Sequence, residues 1–450
     1  MIKREPVILI LDVGKTNKKI LLFNESYELV FEQSFHFDEI SDEDGFPAED
    51  LIRLTDWVSS SVNELVQSGT YEIRAIHFSG YGASLVYLDS SGKPVFPLYN
   101  YLKSYPDELL NNFFEKYGSP AMLSMQTCSP MLGNLNSGLQ LYRLKYQFPE
   151  KFEKTKYALH LPEYLSYVLT GKPYSNMTSI GCHTMLWDFR SNDYHAWVKT
   201  ETLQHVLAPI KSGDEAAGFI HGNIPVGVGL HDSSAALIPY LSSFSEPFVL
   251  ISTGTWCISL NPFNNQPITE AELKQDVLCY MTYQGQPVKA SRLFAGNEHE
   301  IQTKRLAEFF NKPADYFKLV HFDSAKTTQG LVDTNNQAEL TMTFSFSEVD
   351  LNQYADYESA YHALMEHLID LQVKSTNLIL HGAPVKKIFV DGGFGKNELY
   401  MVMISKQYPG IEVYSSVVAQ ASALGAAMAI HSSWNSTSIP DKLVALKRHG

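Results

Sequence analysis

The stretch Gly229-Leu230-His231-Asp232-Ser233-Ser234-Ala235-Ala236-Leu237 puts a histidine and a carboxylate at the meeting of two kinds of backbone. Residues 224–228 are mainly apolar and contain Pro225 and Gly227, while small and apolar residues follow Asp232 at helical spacing. Asp232 therefore falls where an extended segment hands over to a helix, and there backbone donors and the helix dipole hold an anion. Two roles suit that place. One is an N-cap, and the other is a base that takes a proton from a hydroxyl group. Glycine tips on either side of the stretch decide between them, because a nucleotide held by those tips would make Asp232 the candidate base.

Three tips carry the residues for such a grip. Asp12-Val13-Gly14-Lys15-Thr16-Asn17 follows the apolar run 7–11, and Ser252-Thr253-Gly254-Thr255 follows the run 248–251. Asp391-Gly392-Gly393-Phe394-Gly395-Lys396-Asn397 follows the run 387–390. Backbone N–H groups and hydroxyls are short donors that can surround phosphate oxygens. Asp12 is suited to Mg²⁺, which takes one or two carboxylates together with phosphate oxygens. Lys15, Thr16 and Asn17 are placed to face a terminal phosphate, with Gly254 and Thr255 on the same phosphates from the other half of the chain. Gly392, Gly393 and Gly395 leave bare backbone against which an adenosine can lie. No tip has the P-loop or G-x-G-x-x-G spacing, His299-Glu300 lacks the second histidine of a zinc helix, and no G-x-S-x-G elbow is present.

The elements that must position these residues read as α/β. Residues 7–11 and 20–23 predict a hairpin with the first tip at its turn, and 248–251 with 256–260 predict a second hairpin of the same design. Leu51, Leu54, Thr55, Val58, Val62 and Leu65 predict an amphipathic helix, followed by a strand over 73–78. Residues 85–88 with the turn 89–92 predict a further hairpin. Helices are expected over 139–148, 162–169, 360–371, from Glu398, and over 417–430, where Ala, Ser and Gly imply a close neighbour. The region from Tyr99 to Ile220 is more helical and more aromatic, and suits either a pocket for a polar ring or an ordinary helical cap. Lys103 in it reads as a solvated surface residue.

With 450 residues, two domains are expected, 1–244 and 245–450, with the junction near the Ser-Ser-Phe-Ser-Glu-Pro stretch at 242–247. A formal charge of −14 argues against a nucleic-acid partner. Four scattered cysteines suggest a reducing compartment, and neither a signal peptide nor a membrane span is evident, so the cytoplasm is the expected location.

Taken together, Asp12-x-Gly14…Thr16-Asn17, Gly229-x-His231-Asp232-x-x-Ala235-Ala236, Ser252-x-Gly254-Thr255-Trp256 and Gly392-Gly393-x-Gly395-x-Asn397 resemble the FGGY carbohydrate kinases. The resemblance runs from residue 7 to about 430. It implies two ribonuclease-H-like domains of the actin and hexokinase type, an interdomain ATP cleft, and Asp232 as base. It also implies Asn397 in the nucleotide site, Mg²⁺, and a monomer or homodimer that works on a small sugar and ATP, with neither nucleic acid nor membrane. In detail it leans toward the kinases of 6-deoxy-ketoses such as L-rhamnulose and L-fuculose. Tyr81-Gly82-Ala83-Ser84 looks like their Trp-Gly-Val-Asp stretch, and Leu135-Asn136 like their Phe-Asn pair. Tyr81, Gly82, Ser84, Asn136, His183 and His231 are thus the candidate sugar contacts, although Tyr81 and His231 could equally be packing residues. Lys15 and Ser84 depart from the family's pattern. A xylulose-type kinase, an actin-like ATPase of other function, and a degenerate sugar-binding relative are the alternatives.

Overall fold

The computed structural model describes residues 4–327, 346–380, 382, 384–416, 420–440 and 443–449. It divides into two compact units: Met1–Ser243 with Leu278–Pro287 and Gln420–Leu443, and Phe244–Val277 with Val288–Ala419 and Val444–Gly450.

In the first unit β1 (Glu5–Val13), β2 (Lys18–Asn24) and β3 (Leu29–Phe35) form an antiparallel meander. Val7 to Leu11 have no exposed surface, which explains why β1 reads as an unbroken apolar run. Helix α1 (Leu51–Ser68) follows, capped by Asp50, whose side chain accepts from the Arg53 amide. Leu51, Leu54, Trp57, Val58 and Val62 form its buried stripe. It returns the chain to β4 (Tyr71–Gly80), parallel to β1. After helix α2 (Leu161–Thr170), strands β5 (Ala216–Ile220) and β6 (Ile224–Gly227) extend the sheet to the order β5-β6-β4-β1-β2-β3. The short β7 (Leu230–His231) pairs with the end of β4 and leads into α3 (Asp232–Ser243).

The second unit repeats the plan. Strands β8 (Phe248–Thr253) and β9 (Cys257–Asn261) form an antiparallel hairpin, flanked by β10 (Pro287–Leu293). Helices α4 (Ala295–Phe309) and α5 (Tyr357–Leu380) then precede β11 (Lys387–Gly392), which is parallel to β8. Helix α6 (Glu398–Gln407) leads to β12 (Glu412–Ser416), and β13 (Leu446–His449) closes the order β10-β9-β8-β11-β12-β13. In both units a hairpin is followed by a strand parallel to its first arm, so the internal repeat is structural.

Two local expectations change. The strand Leu85–Leu88 does turn at Asp89 and bridges back antiparallel at Leu88 and Pro94, with the Val95 amide donating to the Tyr87 carbonyl at 2.8 Å, but its longer ladder is with Tyr157–His160. Pro94 and Pro97 follow the turn and disfavour a regular return strand there. The helix expected over 417–430 is α7 (Ala421–Ala429), and 417–419 lie outside the described residues. Its small residues do admit a close neighbour, because a Cβ on Gly425 would stand 1.8 Å from the carbonyl oxygen of Ala235 on α3. A side chain there must push the two helices apart. Gly425→Val is expected to destabilise the first unit by about 2–4 kcal/mol, read as a fall in the urea midpoint, whereas an unchanged midpoint would show that the α3–α7 contact is loose.

Candidate active site

Parallel pairing builds the site of the first unit. Register pairs Asp12 with Ser79 and Val13 with Gly80 across β1 and β4. On the other side of β4, Leu230 pairs with Ser79 and His231 with Gly80. Asp12, Tyr81–Ser84 and His231–Asp232 therefore leave the sheet at one end, beyond the carboxyl ends of its parallel strands. In open α/β sheets that is where ligands bind.

Asp232 is the first residue of α3, and its side chain is 35% exposed. Oδ1 accepts from the Ser233 amide at 2.6 Å and from the Ser233 hydroxyl at 3.2 Å, and lies 3.6 Å from His231 Nδ1. The carboxylate is thus held at the start of the helix while it remains open to solvent. Asp12 stands near enough to feel its charge. Burial, and then the Asp232 charge, push the Asp12 carboxyl up to about 6, against a hydrogen bond from Ser422. The Ser422 hydroxyl, from the start of α7, donates to Asp12 Oδ2 at 3.1 Å.

His231 is buried, and its amide donates to Thr178 Oγ1 at 3.1 Å. A Cβ on Gly82 would meet the His231 ring at 2.4 Å, so glycine is required there for the Cδ2–Nε2 edge of the imidazole to approach the chain. Cys182 Sγ is 3.6 Å from Nε2, and the Tyr280 ring packs at 5.6 Å. Burial holds the His231 pKa below its ordinary value. His183 joins the same cluster, with its ring 6.2 Å from that of Tyr280 and its Nδ1 3.1 Å from the Leu135 carbonyl. Tyr280 escaped sequence reasoning because it lies some fifty residues beyond the histidine it packs against, on a strand with no motif of its own.

The other candidates in this unit are more firmly committed to the protein. Ser84 is buried and donates to the Tyr99 carbonyl at 3.3 Å. Asn136 has no exposed surface. Its Nδ2 donates to Ser129 Oγ, the Pro130 carbonyl and, at 2.7 Å, the His183 carbonyl, while Oδ1 accepts from Leu132 N. As placed, Asn136 holds His183 and offers no group of its own to a ligand. At the first tip, the Gly14 amide donates to the Asn17 carbonyl at 2.9 Å, and Thr16 and Asn17 are exposed. Lys15 pairs with Glu39 at 2.6 Å. Lys103 corrects the expectation of a solvated residue: it is buried and pairs with Asp42 and Asp44.

In the second unit the tips lie at the ends of β8 and β11. The Gly254 amide donates to the Trp256 carbonyl at 2.9 Å, and Gly254 and Thr255 are exposed. Gly392 has φ 86°, and a Cβ there would stand 1.9 Å from the Thr253 carbonyl oxygen. The Gly393 amide donates to that oxygen at 3.1 Å, and the space over Gly393 is open. Thr253 ties the two tips together, since its hydroxyl donates to the Asp391 carbonyl and accepts from Phe394 N. A Cβ on Gly395 would press on the Val390 carbonyl at 2.7 Å, so this glycine serves the turn. Asn397 caps α6 by accepting from Tyr400 N and donates to Tyr361 Oη at 2.7 Å, which commits its amide to the fold. Among the described residues no group of three or more His, Cys, Asp or Glu is gathered as for a metal, and no helix is long and apolar enough to cross a membrane.

Two mixed α/β units of repeated design, with carboxylates at the strand ends of one and glycine tips at those of the other, define a protein of the actin and hexokinase type. The chain belongs to the FGGY family of carbohydrate kinases: the model of the family's N-terminal domain matches residues 7–238, and a C-terminal domain model matches 245–438. A rhamnulokinase from Oceanobacillus iheyensis is 23% identical over 266 residues, 56% of this chain and 55% of the relative, so the chain spans about half the length of that protein. Among solved structures, a carbohydrate kinase from Novosphingobium aromaticivorans is similar at a TM-score of 0.76 and 21% identity, covering 99% of this chain and 94% of its own. A ligand-bound xylulose kinase from Lactobacillus acidophilus is similar at 0.78 and 16%, covering 95% and 89%. A glycerol kinase from Plasmodium falciparum with ADP is similar at 0.72 and 19%, covering 96% and 91%.

The raised pKa of Asp12 has a direct consequence for stability. Between about 4 and 6 the folded chain binds a proton that the unfolded chain has released, so the Asp12 contribution to stability falls as pH rises through that window. In metal-free buffer, Asp12→Asn is expected to be more stable than the wild type at pH 7.5, with the gap narrowing toward pH 4.5. Urea unfolding at the two pH values checks this, and a gap that widens on acidification would reverse the assignment.

Proposed function

We propose that the chain transfers the terminal phosphoryl group of ATP to a hydroxyl of a ketose. The observation that carries this reading is the Asp232 carboxylate, partly exposed at the start of α3 and emerging from the same sheet end as Asp12. The sugar oxygen forms a bond to the γ-phosphorus, its proton passes to Asp232, and the bond to the β-phosphate oxygen breaks to release ADP. Positioning and electrostatics do most of the work in such a transfer. The Ser233 amide and hydroxyl, which donate to Asp232 Oδ1, fix the carboxylate's orientation.

Mg²⁺ fits this donor set. Asp12 is a hard oxygen ligand whose charge is already opposed by a second carboxylate, and a cation would relieve that repulsion. Asp12 would hold the ion together with phosphate oxygens, and the ion would offset the charge of the triphosphate. In the second unit, exposed Gly254 and Thr255 suit phosphate oxygens, and the open backbone at Gly393 suits a flat base.

For the acceptor we favour a 6-deoxy-ketose of the L-rhamnulose or L-fuculose kind, supported by the Gly254-Thr255-Trp256 motif and by similarity to a rhamnulokinase. Xylulose and glycerol kinases have the same fold, and fold alone does not choose among sugars. The cytoplasm, which supplies ATP and keeps the four free thiols reduced, is the fitting compartment. Asp232→Asn is expected to bind ATP within about threefold of the wild type and to lose 10²- to 10⁴-fold in turnover, the usual contribution of a positioned base. Isothermal titration and steady-state rates check this, and near-normal turnover would remove Asp232 as base.

A further inference from the structure

Behind the His231–Asp232 corner lies a buried polar set that the reaction as drawn does not use. Glu163, in the first turn of α2, is 1% exposed, and Asn176, Thr178 and Ser179 are 0%, 0% and 2% exposed. Glu163 Oε1 accepts from the Asn176 amide and Oε2 from the Ser179 hydroxyl, each at 3.1 Å. Asn176 Oδ1 accepts from the Thr178 amide at 2.9 Å and from the Thr178 hydroxyl at 2.6 Å, while its Nδ2 donates to the Lys211 carbonyl at 2.8 Å. The one hydroxyl proton of Thr178 goes to Asn176, so the oxygen is left to accept from the His231 amide at 3.1 Å. Hydrogen bonds thus run without a break from Glu163 to the residue before Asp232.

The same helix also touches this corner directly. Gly229 has φ 96°, and a Cβ there would stand 2.2 Å from the Pro162 carbonyl oxygen and 2.9 Å from Glu163 N. The next turn of α2 brings the Ser166 hydroxyl to the Gly227 carbonyl, to which it donates at 2.7 Å. The backbone of 227–231 is therefore held against α2 at two points, and through Thr178 at a third. A buried network whose members are satisfied fixes one geometry. Here the fixed object is the backbone from which the Asp232 side chain leaves. Burial pushes the Glu163 carboxyl up to about 8 against its hydrogen bonds, so a neutral amide of the same shape suits the place.

We infer that Thr178 and Glu163 are positioning residues for Asp232, acting through the His231 amide to set the angle at which the carboxylate meets the acceptor hydroxyl. The inference rests on the kinase reading for its kinetic consequences and on these contacts for its structural ones. Removing the Thr178 hydroxyl leaves the His231 amide without its partner and frees the corner to shift. Proton transfer to Asp232 should then slow while the grip on ATP stays as it was.

The test uses the full chain with Thr178→Val, Thr178→Ser, Glu163→Leu and Glu163→Gln. Thr178→Val keeps the volume and is expected to lower kcat about ten- to hundredfold with the ATP KM within about twofold, as a displaced base requires. Thr178→Ser restores the hydroxyl and should bring kcat back to within about threefold of the wild type. Glu163→Leu should behave like Thr178→Val, and Glu163→Gln like the wild type, because its amide oxygen still accepts from Asn176 N and its NH₂ can donate to Ser179. In an Asp232→Asn background Thr178→Val should cost less than about threefold more, since both changes act at one group. A kcat near that of the wild type in Thr178→Val, a loss that serine does not repair, or a full further loss in the Asp232→Asn background would overturn the inference. A second readout needs no turnover: in the ligand-free chain, amide hydrogen exchange at His231 should quicken in Thr178→Val and return in Thr178→Ser, and unchanged exchange in Thr178→Val would also overturn it. If the wild type phosphorylates no sugar, the kinase reading fails and this exchange measurement still decides whether Thr178 holds the corner. If Glu163→Leu does not fold, the two Thr178 variants carry the test, since they leave Glu163 and its partners in place.

Discussion

The structure depends on the pairing of three strand ends. β4 takes β1 on one side and β7 on the other in parallel register, so Ser79 and Gly80 face Asp12 and Val13 across one edge and Leu230 and His231 across the other. A slip of one residue in either ladder would turn Asp12 or His231 to the opposite face of the sheet. The register brings two carboxylates close enough to repel, and the fold retains that repulsion with a hydrogen bond from Ser422 to Asp12. A site that holds unneutralised anions close together is prepared for a cation or for a proton in motion.

Around that core the first unit uses close packing to place groups that have little freedom of their own. Gly82 lets the edge of the His231 ring approach the chain, and Gly425 lets α7 lie against α3. The α3–α7 contact also brings Ser422 to Asp12 from a part of the sequence some four hundred residues away. Asn136 and His183 show the same economy. One amide holds the carbonyl of the other residue, and the imidazole then meets Tyr280. In the second unit Thr253 plays the organising part by joining the β8 tip to the β11 tip through one hydroxyl.

Much of this was legible in the sequence, for physical reasons. Unbroken apolar runs bounded by glycine and hydroxyl residues identify β1, β8 and β11, because strands buried on both faces have nothing to alternate. The stripe from Leu51 to Val62 identifies α1 by its period. What one dimension hid was the use of particular side chains. Ser84, Asn136 and Asn397 stand at motif positions, yet their polar atoms bond within the chain. Lys103 looks like a surface lysine until Asp42, far from it in sequence, is seen to bury with it. Lys18 and Glu49, 31 residues apart, carry no motif, and only the fold brings them together.

Product analysis tests the central claim most directly. The wild-type chain is incubated with ATP, Mg²⁺ and a panel of ketoses that includes 6-deoxy sugars, and the products are weighed by mass spectrometry. The account predicts one sugar that gains a single phosphoryl group in an amount equal to the ADP formed. ADP accompanied by inorganic phosphate, with no phosphorylated sugar from any member of the panel, would contradict it.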